Sequence, residues 1–99
     1  MDRPETQDEL VVRIKKSLDA FSSEEMLGEL NRMIDGGAKR LVCDFSETEY
    51  ISSIGVGVLM SVYKRLKKAG GDVILSGLKP KVRSIFETAG LLQIFTVRG

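Results

Sequence analysis

Near the start of the chain, Leu10, Val12 and Ile14 alternate with Val11 and Arg13, the period of two that a half-buried strand shows. The period then lengthens. Across "LDAFSSEEMLGELNRMIDGG", Met26, Leu27, Leu30, Met33 and Ile34 recur at three- and four-residue intervals, which predicts an amphipathic helix. Ser22 with Glu25 three residues later fits a capping box at its start, and Ser23 is the other candidate cap. Gly36-Gly37 supplies a left-handed stop. "RLVCDF" is a continuous apolar run, the mark of a strand buried on both faces. A second helix is expected from about Ile54 to Lys68, closed by Gly70-Gly71, and "DVILSG" reads as another short buried strand. Pro80 suits the first turn of a third helix, with Val82, Ile85, Phe86 and Ala89 on one stripe and Gly90 as terminator. "LLQIFTV" is expected to form the last strand. Strands that alternate with helices after Ile14 predict an α/β fold, a mainly parallel sheet covered by helices. The segment before Leu10 is a candidate edge strand, against which Pro4 argues.

The second helix carries two apolar stripes. Leu59, Val62, Leu66 and Ala69 share one and are expected to face the sheet, while Val56, Met60 and Tyr63 form another, rotated to one side. Two readings of the second stripe stand side by side. It wraps under a neighbouring helix such as the third, or it is an exposed docking strip, to which the flexible Met60 is suited.

Composition narrows the function. The chain has 99 residues, enough for one domain. Its net charge of +1 creates no strong field for nucleic acid or an anionic membrane. The longest apolar stretch, Ile54 to Val62, is too short to span a bilayer. "MDRPETQDEL" lacks the apolar core of a signal peptide, so a cytoplasmic location is expected. Cys43 is the single cysteine and sits in an apolar run, where it reads as a small core hydrophobe. Histidine is absent, and with it Ser-His-Asp and Cys-His chemistry. Neither an enzyme, nor a metal, nor a cofactor is expected.

"GVGV" stands at a strand–helix turn and raises the question of phosphate binding. A Walker loop needs lysine and a hydroxyl residue after its second glycine, and neither follows Gly57. The dinucleotide fingerprint fails as well, since Met60 stands where its third glycine belongs. Asp44, Glu47 and Glu49 read as a solvated loop. The chemically addressable groups are Ser52 and Ser53, where "YISSIGVG" enters the second helix. A serine hydroxyl there can cap the free N–H groups, and a phosphate on it would meet the positive end of the helix dipole. Cap and modifiable switch are both open on these grounds.

The ordered set "LVVRI", "LDAFSSEEMLGEL", "RLVCDFSETEYISSIGVGVL" and "GGDVILSGLKPKVRSIFETAGLLQIF" resembles the STAS domain of bacterial anti-sigma factor antagonists over nearly the whole chain. The resemblance implies a single domain, residues 1–99, with a four- to five-stranded mixed sheet and helices packed mainly on one face. It also implies partner switching. The unphosphorylated antagonist would bind an anti-sigma factor that is a serine kinase of the histidine-kinase-like ATPase type. That kinase would phosphorylate a serine at the start of the second helix, and a metal-dependent serine phosphatase would reverse the step. Aligning Gly55 with the family's glycine after the acceptor motif places the phosphate on Ser53. Ser52 then stands where the family usually has Asp, and it supplies no negative charge beside the acceptor. Ile54 stands where the family often has a small residue. Partner contacts are expected from Leu18, Asp19, Ser22, Ser52, Ile54, Gly55, Val56, Gly57, Met60 and Tyr63. STAS domains also serve as small subunits of lipid or anion transporters, a non-phosphorylated docking role that is the alternative reading.

Overall fold

The computed structural model describes residues 9–98. Its elements run β1 (Glu9–Arg13), β2 (Ser17–Leu18), α1 (Ala20–Asp35), β3 (Arg40–Asp44), β4 (Tyr50–Ile51), α2 (Ser53–Lys68), β5 (Asp72–Ser76), α3 (Pro80–Thr88) and β6 (Thr96–Arg98). The main sheet has the order β1-β3-β5-β6, and β2 pairs with β4 in a separate two-stranded sheet. Every one of these pairings is parallel. The mixed sheet expected is thus parallel throughout among the described residues, and the candidate edge strand before Leu10 falls on residues 1–8, outside the described residues.

Strand order follows chain order, so each right-handed crossover steps the same way and drops its helix on the same side of the sheet. Burial bears this out. Val12, Leu41, Cys43, Val73 and Leu75 share one core with Met26 and Leu30 of α1, Leu59, Val62 and Leu66 of α2, and Val82 and Phe86 of α3. The opposite face places Val11, Val42, Ile74 and Thr96 in one row across the four strands. Arg40 and Arg98 both reach Glu9, at 3.3 and 3.1 Å. Leu41, Val42 and Cys43 are all buried, as a run apolar at every position requires.

The helix stops are those that the glycines announce. Gly37 and Gly90 take φ of 107° and 73°, and Leu91 N–H returns to the Phe86 carbonyl at 2.9 Å. Gly71 answers a different need, since a Cβ there would lie 2.0 Å from the Lys39 carbonyl oxygen.

Four expectations are corrected. Residues 91–95 do not extend β6: Ile94 and Phe95 N–H both bond the Leu91 carbonyl, making a turn that drives Phe95 into the core. Phe95 lies edge-on to Phe86 at 6.0 Å and to Tyr63 at 5.2 Å. Each such contact adds about 0.5–1.5 kcal/mol beyond burial, about what one further ladder bond would bring, and Phe95 makes two. Ala69 and Ala89 are exposed because each is the C-cap of its helix. The cap of α1 is Asp19, with Ser22 in its third turn position. Ser23 is buried inside the helix.

Candidate functional site

The two-residue strands β2 and β4 pair Ser17 with Tyr50 and Leu18 with Ile51, and a helix leaves each one. The pairing sets the two helix starts side by side. Ser52 N–H donates to the Leu18 carbonyl at 2.8 Å, so the residue that precedes one cap holds the other cap in place. Thr48, fully buried, adds a hydroxyl bond to the Lys15 carbonyl at 2.8 Å and ties the two approach loops together.

Each start is capped by its own side chain. At α1, Ser22 N–H donates to Asp19 Oδ1 at 2.9 Å and Asp19 N–H donates to Ser22 Oγ at 3.0 Å. The Ser22 backbone N–H, and after it the Ser22 hydroxyl, hold the Asp19 carboxyl below the usual aspartate range. At α2 the cap is Ser52, whose Oγ accepts from Gly55 N–H at 3.2 Å. Ser53 is then the first helical residue and is exposed. Cap and free hydroxyl are thus divided between the two serines.

The helix starts touch through Gly55. A Cβ on Gly55 would lie 2.9 Å from Ile51 Cγ1, 3.1 Å from Ser23 Oγ and 3.2 Å from Leu18 Cβ. No other residue type fits without displacement. Further along, Arg65 of α2 donates to Asn31 Oδ1 at 2.7 Å and pairs with Asp35. The two helices are therefore held at both ends.

Large apolar side chains stand exposed at the two helix starts. Phe21 is 71% exposed, Tyr50 52% and Ile54 51%, and all three belong to the two helix starts or the strands leading into them. Of the expected contact residues, Asp19, Ile54 and Gly57 are exposed, and Ser22, Ser52 and Val56 are partly so. Leu18 and Gly55 are buried; they hold the site from beneath and offer no surface. The stripe of Val56, Met60 and Tyr63 packs partly against the core. Its neighbour is the 91–95 turn, met through Phe95. Packing therefore accounts for Tyr63, and the free apolar surface lies further toward the start of α2. Phe21 and Tyr50 were not singled out from the sequence. Phe21 stands off the apolar stripe of its helix, and an aromatic off the stripe is the one signal that marks it.

Among the described residues no group of His, Cys, Asp and Glu could hold a metal ion, and no helix is long and apolar enough to cross a membrane. Asp44, Glu47 and Glu49 are each matched by a cation: Arg13 meets Asp44 and Glu47, and Lys79 meets Glu49. The arrangement leaves the Ser53 hydroxyl exposed at a helix start, next to the exposed Ile54.

The STAS domain model matches residues 1–99. BtrV of Bordetella bronchiseptica, which its name assigns provisionally to the anti-sigma factor antagonists, is 36% identical over 88 residues, 89% of this chain and 76% of its own. The anti-sigma-B factor antagonist of Bacillus subtilis is 26% identical over 97 residues, 98% of this chain and 88% of its own. Among solved structures, the Bacillus anti-sigma factor antagonist SpoIIAA in its unphosphorylated form superposes with a TM-score of 0.83 at 22% identity, covering 94% of this chain and 82% of that one. At that identity the likeness is one of fold. Matched along its whole length, this chain belongs to the STAS-domain family, together with the anti-sigma factor antagonists to which it is similar.

Proposed function

We infer that this protein is a phosphorylation-controlled partner switch, in which Ser53 carries the phosphate. Unphosphorylated, it docks on an anti-sigma factor that is also a serine kinase, using Phe21, Ile54 and Gly57 with the neighbouring Asp19 and Ser22. Phosphorylated by that kinase, it is released, and a metal-dependent phosphatase returns it to the docking form.

The observation that carries this reading is the division of labour between Ser52 and Ser53. Ser52 serves as cap, so the Ser53 hydroxyl is exposed and free of a structural duty. A phosphate on the first helical residue meets unpaired N–H groups and the positive end of the dipole, and the fold tolerates it. The contact does not tolerate it. Nearly two negative charges would be enclosed between apolar surfaces, where an unpaired charge is strongly unfavourable. The occurrence of SpoIIAA in unphosphorylated and phosphorylated forms supports a two-state cycle on this fold.

Phosphopeptide mapping from native cells across growth and stress conditions tests the assignment. Trypsin releases Leu41–Lys64 as one peptide, and the expected result is a phosphate on Ser53 that rises and falls. Full coverage of that peptide with no phosphate under any condition would overturn the switch. Recovery with a membrane transporter in place of a soluble kinase would favour the transporter-subunit role.

A further inference from the structure

Next to the start of α2 lies the buried hydroxyl of Ser23. Ser23 is fully buried, and its Oγ has no hydrogen-bond partner among the described residues. It is the only such buried side-chain atom among them. A buried hydroxyl left unpaired is costly, and native structures rarely keep one without a reason. Its neighbour is Gly55, whose missing Cβ would stand 3.1 Å from that Oγ. Gly55 is two residues beyond Ser53 and spends its N–H on Ser52 Oγ at 3.2 Å.

We propose that Ser23 is a positioning residue that transmits the charge state of Ser53 to the start of α1. A negative group on Ser53 competes with Ser52 Oγ for the Gly55 N–H, because a charged acceptor forms the stronger bond. Gly55 then shifts. Gly55 lies close enough to Ser23, Leu18 and Ile51 that no Cβ fits between them, so a shift of Gly55 changes the surroundings of the Ser23 hydroxyl and lets it turn. The acceptor one turn back is the Asp19 carbonyl, which already takes Ser23 N–H at 2.9 Å, and a helical serine readily bonds that carbonyl with its hydroxyl. Asp19 caps α1, so the change reaches Asp19, Phe21 and Ser22 on the docking surface. A phosphate at Ser53 would thereby alter the neighbouring half of the interface as well as its own position. The coupling is a property of the fold; its biological use rests on Ser53 being the modified residue.

The test uses the full chain in four forms: wild type, Ser53→Asp, Ser23→Ala and the double variant. In the wild-type background, Ser53→Asp is expected to shift the backbone amide resonances of Asp19, Phe21 and Ser22. In the Ser23→Ala background those shifts are expected to fall by at least half. Urea unfolding of the same proteins gives a second readout. Removing the unpaired hydroxyl should raise the folding equilibrium constant at least three-fold more in wild type than in Ser53→Asp, where the hydroxyl already has a partner. Equal shifts in both backgrounds, no shift in either, additive stabilities, or a slowly exchanging internal water bonded to Ser23 would each overturn the proposal. None of these depends on a kinase, so failure here is distinct from failure of the phosphopeptide map.

Discussion

Gly55 is where the two helix starts close on each other, and its hydrogen is a packing requirement. Gly55→Ala gains about 1 kcal/mol of helix propensity, yet forces a Cβ to within 3.1 Å or less of Ile51 and Ser23, overpacking that costs about 1–3 kcal/mol. Net destabilisation by about 1 kcal/mol is expected from the shift in urea midpoint at unchanged slope. Phe21 is the opposite case. At 71% exposure it does little for the fold, and Phe21→Ala is expected to leave stability within about 0.5 kcal/mol while weakening anti-sigma factor binding by 1 kcal/mol or more, read by titration calorimetry. Asp19 links stability to pH. Its folded carboxyl is held low by Ser22, below the unfolded value of about 3.9. Its contribution is therefore complete above that value and is lost as pH falls through the lowered folded one. A carboxyl-carbon NMR titration of Asp19 should give a midpoint below that of an unfolded peptide, and an equal midpoint would remove the cap from the account. Asp19 as cap was not legible in the sequence, because Asp19 with Ser22 and Ser22 with Glu25 offer the same spacing. Only the backbone's exit from β2 decides between them.

Helices showed themselves far better than strands at the scale of elements. The stripes from Met26 to Ile34 and from Leu59 to Leu66 fixed α1 and α2, and the glycines fixed their ends. The strands β2 and β4 have two residues each, too short for any period, and only tertiary pairing reveals them. The 91–95 segment misled for the converse reason. Its apolar run satisfies a strand pattern, but Phe95 is held by Phe86 and Tyr63. The site itself was half legible: two serines before a helix announce a cap, but which one caps depends on where Gly55 can aim its N–H. Ser52→Ala should cost about 1 kcal/mol as a lost cap, with the loss confined to the first turn of α2 in amide exchange. Ser52→Asp should retain the cap and add a favourable charge at the dipole. If Ser52→Ala proves neutral, Ser53 or solvent is capping in its place.

For the molecule as a whole, the sheet and its single layer of helices form one cooperative core, and Cys43 at its centre reports on it. Burial pushes the Cys43 thiol up to about 12, so almost no thiolate exists at neutral pH. The native protein is expected to resist Ellman's reagent at pH 8 and to react fully once unfolded in urea. Rapid native reaction would show that the core opens far more often than a cooperative domain should. The fold class was legible at this scale, because strand–helix alternation leaves few alternatives.

The strand order β1-β3-β5-β6 has one further consequence. In open α/β sheets, small ligands settle in the crevice where strand order reverses and neighbouring loops diverge to opposite faces. Among the described residues the strands advance in one direction with no such reversal, and the β2–β4 pairing holds two helix starts side by side as a brow beyond the sheet. It presents both starts together for another protein to read.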